Sequence, residues 1–246
     1  MSYTLPNAWE LAERRLELLE ASHDADSIRF AEALGIASDW DCLEAGAGHG
    51  SFARWLAGRA RSVLAVDLDV RLLAHLKGPN VEVRSLNLAT EALPQAAFDL
   101  VHTRLVLIHV PERERALRNL VSAVRPGGFL LVEEDDTYPI EATATGAYRR
   151  AWDAFVAMTV KSGLDPHWAR GLPERLGDLG LVDVGAEVDD QFFPGGSVPA
   201  QFWSLTWVQA RERIGAVVDG GRAELEDPRR WFHGPAKFSV WGRRPA

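Results

Sequence analysis

Leu43-Glu44-Ala45-Gly46-Ala47-Gly48-His49-Gly50-Ser51 joins a short apolar run, 40–45, to a helical pattern over 51–60. The glycines let the backbone turn tightly and bring its amides close to a ligand. Alone, such a segment fits a plain tight turn between strand and helix. It also fits a dinucleotide site, whose fingerprint is G-x-G-x-x-G. The spacing here is G-x-G-x-G, and Glu44 stands two residues before the first glycine. A carboxylate at that point repels a pyrophosphate but not a ligand carrying an ammonium or sulfonium group. NAD and FAD are therefore not expected to bind.

Reading outward, Val63-Leu64-Ala65-Val66 is a second short strand, ending in Asp67. An acid about 20 residues after the glycines is placed to accept both hydroxyls of a ribose. The same acid also suits a helix cap. Residues 71–77 are helical and close on Gly78-Pro79-Asn80. Strands follow at 81–86 and 98–101, then an amphipathic helix at 113–124, the breaker Arg125-Pro126-Gly127-Gly128, and a strand at 129–133. Strand and helix alternating over 40–135 predict an α/β fold, a mostly parallel twisted sheet with helices on both faces.

On the N-terminal side, 7–22 and 27–34 show helical spacing, with Pro6 and Asn7 at the entry and Gly35 as a stop. On the C-terminal side, helices are predicted at 146–162, 166–179 and 199–218, and strands at 182–188 and 238–241. The helices at 7–36, 144–162 and 199–218 are surplus to the alternating core and predict a cap. The expected organisation is one domain: a helical lid at 1–36, a Rossmann-like cofactor-binding core at 37–140, and a segment at 141–246 that completes the sheet and carries the inserted cap.

The 246 residues suit such a domain, and 47% hydrophobic with 25% charged residues is ordinary globular composition. A formal net charge of -8 offers no field to collect nucleic acid or anionic lipid. Cys42 is the single cysteine, so neither an intrachain disulfide nor a multi-cysteine metal site is available. The N-terminal residues lack the basic start and apolar run of a signal peptide, and no stretch approaches the roughly 20 apolar residues of a membrane span. A soluble cytoplasmic protein is expected, with no metal.

Five motifs in order now carry a resemblance. Glu44 to Gly50, Val66-Asp67-Leu68-Asp69, Phe98-Asp99-Leu100-Val101, Leu107-Ile108-His109-Val110-Pro111 and Val124-Arg125-Pro126-Gly127-Gly128 resemble the class I S-adenosylmethionine-dependent methyltransferases from Cys42 to Glu134. The small-molecule branch, including quinone and natural-product methyltransferases, is the nearest look-alike. The resemblance implies S-adenosylmethionine as cofactor and S-adenosylhomocysteine as product. It implies that the backbone at Gly46, Gly48 and Gly50 holds the methionine end and that Glu44 helps place its ammonium. Asp67 would bind the ribose diol and Leu68 would pack on adenine. Asn87 stands where the family usually has an acid for the adenine amino group, with Leu88 beside it. Arg104 would lie along the cofactor near the transfer point. Ser51 would cap its helix or touch the methionine carboxylate.

Methyl transfer from a sulfonium is an in-line displacement, and much of its acceleration comes from positioning. A general base matters only where the nucleophile arrives protonated. His102, His109 and Glu134 are the candidates, each weighed against a packing or capping role. The run Glu133-Glu134-Asp135-Asp136 also offers a carboxylate to anchor an amine, and His167 is a further histidine within reach. Tyr3, Asp135, Tyr138, Trp203 and Trp207 are expected to meet the acceptor, with Tyr3 and Trp9 closing over the cofactor. Trp203 and Trp207, four residues apart, share one helix face, which suits either a packed core or an aromatic wall for a flat or apolar acceptor. The expected partner is a small-molecule acceptor, without nucleic acid or membrane, and with a homodimer left open. Two other readings stand beside it: a non-methylating protein that uses the cofactor structurally, as in a cyclisation, and a protein or nucleic-acid methyltransferase.

Overall fold

The structure is a computed structural model and describes Leu5 and residues 7–246. Among these residues seven strands form one sheet: β1 (Asp41–Ala45), β2 (Ser62–Asp67), β3 (Val81–Ser85), β4 (Phe98–Arg104), β5 (Val124–Asp136), β6 (Val182–Pro194) and β7 (Trp231–Arg243). Their order is β3-β2-β1-β4-β5-β7-β6. The strands from β3 to β5 pair in parallel, and β7 runs antiparallel to both its neighbours. The order reverses direction between β1 and β4, which is where sheets of this kind bind ligands at their carboxyl ends.

Among the described residues eight helices surround the sheet: α1 (Ala12–Ala33), α2 (Ser51–Ala57), α3 (Arg113–Ala123), α4 (Tyr138–Thr143), α5 (Gly146–Lys161), α6 (Leu172–Asp178), α7 (Val198–Ile214) and α8 (Val217–Glu226). The strands β1, β2 and β4 are buried on both sides, and their side chains alternate between two apolar layers. Leu43, Ala45, Leu64, Val66 and Val101 pack with Leu117 and Leu120 of α3 and Leu172 and Leu176 of α6. Cys42, Val63, Ala65 and Leu100 pack with Phe30 of α1 and with Phe52 and Leu56 of α2. A third core, formed by α5, α7 and α8 with Phe193 and Phe232, holds Tyr148, Trp152, Phe155, Phe202, Trp203 and Trp207.

The structure differs from the sequence expectation in several places: the helix expected over 166–179 is a 3₁₀ turn, Trp168–Gly171, followed by α6, and the one expected over 71–77 is a 3₁₀ turn at Val70–Leu73. The patterns at 7–22 and 27–34 are one continuous helix, α1. The polar stretch Ser22-His23-Asp24-Ala25-Asp26 reads as a break, yet its side chains turn to partners: Ser22 Oγ donates to the Leu18 carbonyl, and Lys237 Nζ donates to Asp26. The last three strands run well beyond the expected limits, because β5, β6 and β7 continue as antiparallel ladders past the edge of the parallel core. The expected helix over 199–218 is two helices, α7 and α8, separated at Gly215 with φ +79°. Among the described residues no helix is long and apolar enough to cross a membrane.

Candidate active site

The glycine turn leaves the carboxyl end of β1, beside β4, at the reversal point. Gly46, Gly48 and Gly50 have φ of +79°, +59° and +91°, a region that side chains disfavour. Gly46 is the tightest of the three. A Cβ there would stand 2.1 Å from Cγ2 of Val106, on the turn after β4. The amides of Gly46 and Ala47 both donate to the Val66 carbonyl, at 2.8 and 3.0 Å, so the turn is pinned to β2. Across it, Asp67 Oδ2 accepts the Gly48 amide at 2.9 Å and Oδ1 accepts the Asp69 amide at 2.9 Å. Burial raises the Asp67 pKa, and the amide bonds work against that rise. Leu68, next to it, is 54% exposed despite being leucine.

On the next strand end, Asn87 Oδ1 accepts the Ala89 amide at 2.9 Å, so this oxygen already holds its own loop. Leu88 is buried in the main core rather than open to a ligand, which differs from the expected place beside the adenine.

The register of the sheet gathers three charged side chains on the face covered by α1 and α2. Glu44 lies opposite His102, and Glu133 lies opposite Ser239. Glu44 Oε2 stands 2.5 Å from His102 Nδ1, and Glu133 Oε2 stands 2.8 Å from His102 Nε2. Both ring nitrogens therefore face carboxylates, and both are donors only in the imidazolium form. Burial alone would lower the His102 pKa, but Glu44 and Glu133 outweigh it and raise it to about 9. Glu133, which also accepts from Ser27 and Ser239, is held down to about 2 against the effect of burial, first by its hydrogen bond to His102. Burial pushes Glu44 upward despite the imidazolium. One expectation is corrected here. His102 is 0% exposed with both nitrogens engaged, so it has no lone pair to serve as a base. Glu44 is buried, with its Oε2 against His102.

Helix α1 supplies groups that sequence reasoning missed. Glu20 Oε1 accepts the Ser51 amide at 3.0 Å, and its Oε2 stands 3.2 Å from His49 Nδ1. Asp24 Oδ1 accepts both Ser51 Oγ at 3.0 Å and Arg104 Nη2 at 2.9 Å. Arg104 Nη1 donates to Ser27 Oγ at 2.8 Å. Ser51 and Arg104 are thus tied to α1, and Leu16 of α1 lies against Gly48. The signal was present in the sequence: Glu20, Asp24 and Ser27 are four and three residues apart, which puts them with Leu16 on one side of a helix.

The remaining candidates divide. His109 sits half-buried on the 3₁₀ turn Leu107–His109, and burial with the charges of Arg15 and Arg113 lowers its pKa to about 4. Glu134 Oε1 accepts the Val106 and Leu107 amides at 3.1 and 2.6 Å, so it braces that turn, and burial raises its pKa to about 8. Burial also raises Asp135 to about 7, with Lys237 opposing. Asp136 is bound by Arg170 and His167, and Tyr138 Oη donates to Asp190 at 2.9 Å. Tyr3 lies outside the described residues. Trp203 and Trp207 are corrected as acceptor-lining groups: both are buried in the helical core, stacked edge-on to Trp152 at 4.4 and 6.3 Å between centroids. Trp203→Ala is expected to lower stability by about 3–5 kcal/mol, the scale for emptying a Trp site, and to leave cofactor affinity intact in the folded fraction. A shift in denaturation midpoint with an unchanged calorimetric Kd is the check. Among the described residues no His/Cys/Asp/Glu group is arranged to hold a metal ion.

Residues 43–132 match the family described as a methyltransferase domain. A methyltransferase of Strobilurus tenacellus, str2, is 34% identical over 144 residues, 54% of this chain and 50% of that protein. A Mycobacterium tuberculosis protein named "Probable S-adenosylmethionine-dependent methyltransferase" is 40% identical over 94 residues, 37% of this chain and 34% of its own length. The chain thus spans half or less of the length of these relatives. The solved structure of an S-adenosylmethionine-dependent methyltransferase from Mesorhizobium loti superposes with a TM-score of 0.56 at 21% identity, covering 89% of this chain and 98% of that one. Residues 43–132 thus match a methyltransferase domain, and the ordered motifs, the strand order and the glycine turn facing Asp67 make this part of the chain similar to the class I S-adenosylmethionine-dependent methyltransferases.

Proposed function

We propose that the protein binds S-adenosylmethionine at the carboxyl edge of β1, β2 and β4 and transfers its methyl group to a small molecule. The observation that carries this reading is the left-handed glycine turn with the Asp67 carboxylate directly across it and an exposed leucine beside it. Backbone amides at the turn suit the methionine end. Asp67 has its remaining lone pairs for the ribose hydroxyls, and Leu68 offers an apolar surface to adenine. When bound, the cofactor supplies an electrophilic methyl group on a positive sulfur.

The chain's own task is then to orient the acceptor, exclude water and, where the nucleophile carries a proton, receive it. His109, held neutral, and Asp135, titrating near neutral pH, have that last capacity. His102 and Glu44 act as positioning residues for the floor of the site. The aromatic residues expected to favour a flat or apolar acceptor are used up in the helical core, so that preference loses its support.

Asp67→Ala is expected to weaken S-adenosylmethionine binding by about 1.5–3 kcal/mol, the scale of hydrogen bonds to a charged group. Calorimetry on the pure protein reads this directly, and an unchanged affinity removes Asp67 from the ribose role. Release of S-adenosylhomocysteine on addition of candidate acceptors separates methyl transfer from a purely structural use of the cofactor.

A further inference from the structure

Among the described residues, the buried side-chain atoms without a hydrogen-bond partner include Nε and Nη2 of Arg15, Nε2 of His23, Oγ1 of Thr103, Oε2 of Glu134 and Oδ1 of Asp135. Others lie in the helical core, on Trp152 and Trp207, but Thr103, Glu134 and Asp135 stand at the carboxyl ends of β4 and β5, and Arg15 and His23 belong to the buried face of α1. Unpartnered polar atoms gathered at the ligand edge of a sheet mark a place where something polar completes the bonding.

Arg15 is the member with specific chemistry. It is 2% exposed. A guanidinium does not shed its charge, so enclosure without an anion is a state a fold rarely keeps. Nε and Nη2 are the two nitrogens on one side of the guanidinium. Their N–H bonds run parallel and match the two oxygens of a carboxylate or phosphate.

The position of Arg15 is equally defined. Its neighbour Leu16 lies against Gly48. Leu18, one turn on, belongs to the helical core of the cap. Its charge is felt at His109, on the turn after β4. Arg15 therefore lies on the buried face of α1, close to the glycine turn and to the turn after β4.

We propose that Arg15 recognises the methyl acceptor, and that the acceptor carries a carboxylate or phosphate group held by its Nε–H and Nη2–H. This rests on the methyltransferase reading, because it takes the space beyond the glycine turn as the acceptor's.

The test uses benzoate and phenyl phosphate as anionic probes and benzamide as the neutral match, titrated into the full chain saturated with S-adenosylhomocysteine. Benzoate and phenyl phosphate are expected to bind saturably and benzamide at least tenfold more weakly. Arg15→Met should weaken both anions at least tenfold while S-adenosylhomocysteine affinity stays within twofold. Arg15→Lys, which keeps the charge but not the fork, should fall between. Equal binding of benzoate and benzamide overturns the proposal. So does an Arg15→Met variant that loses S-adenosylhomocysteine affinity instead, since the guanidinium then serves the cofactor. If the wild-type chain binds no S-adenosylhomocysteine, the methyltransferase reading fails. Benzoate titrated alone into ¹⁵N-arginine-labelled protein then still reads Arg15: a saturable shift of its Nε–H supports the anion site and no shift overturns it. The same spectrum decides the matter if Arg15→Met does not fold.

Discussion

Gly46→Ala is expected to lower stability by about 2–5 kcal/mol, combining left-handed strain with overpacking, and to take cofactor binding below detection. The methyl group would lie 2.1 Å from Cγ2 of Val106, at a φ of +79°. Neither side yields easily, because the Gly46 amide is bonded to β2 and the Val106 amide is bonded to Glu134. Gly48→Ala is the internal comparison. Its φ is +59° and its nearest neighbour is Leu16 at 4.0 Å, so only the backbone term applies. That term is about 1 kcal/mol. Denaturation midpoints and calorimetry on the pair read both effects, and equal losses would show that Val106 does not set the shape of the turn.

The second large effect concerns His102. His102→Leu leaves Glu44 and Glu133 facing each other in a buried layer with no cation between them. Removing one member of a buried charged set costs about 3–5 kcal/mol. Adding Glu44→Gln and Glu133→Gln to the same chain should restore most of the loss, because the orphaned charges go with it. The pH dependence has a definite sign. The His102 pKa is raised in the folded protein, from an ordinary 6.5 to about 9. Its contribution is therefore complete below pH 6.5 and disappears as pH rises through about 9. The stability difference between wild type and the triple variant should shrink over that interval. A constant difference would mean that His102 is neutral in its layer.

The alternating core was legible from residues 40–135 because each of its elements is short, apolar and bounded by a glycine, proline or acid. Glycine spacing and the acid at the end of β2 led directly to the turn and to Asp67. What stayed hidden depends on contacts across the chain. The face that Glu44, His102 and Glu133 share follows from strand register, which pairs residues dozens of positions apart. Continuity of α1 through Ser22-His23-Asp24-Ala25-Asp26 depends on Arg104 and Lys237, far along the sequence. The tryptophans at 203 and 207 present one stripe whether they line a cavity or fill a core, and only the neighbouring Trp152 and Tyr148 decide between the two. Arg15 was invisible for a related reason: a charged residue in an amphipathic helix reads as solvent-facing until its burial is known.

A helix of 22 residues is a rod about 33 Å long, and α1 has no internal joint. Leu16, Glu20, Asp24 and Ser27 are spaced along one side of it, each fixed to the turn or to the strand ends. A ligand at the glycine turn therefore meets a stiff wall along that side and not separate side chains. Asp24 joins two parts of that wall, so removing its carboxylate frees Ser51 Oγ and Arg104 Nη2 together.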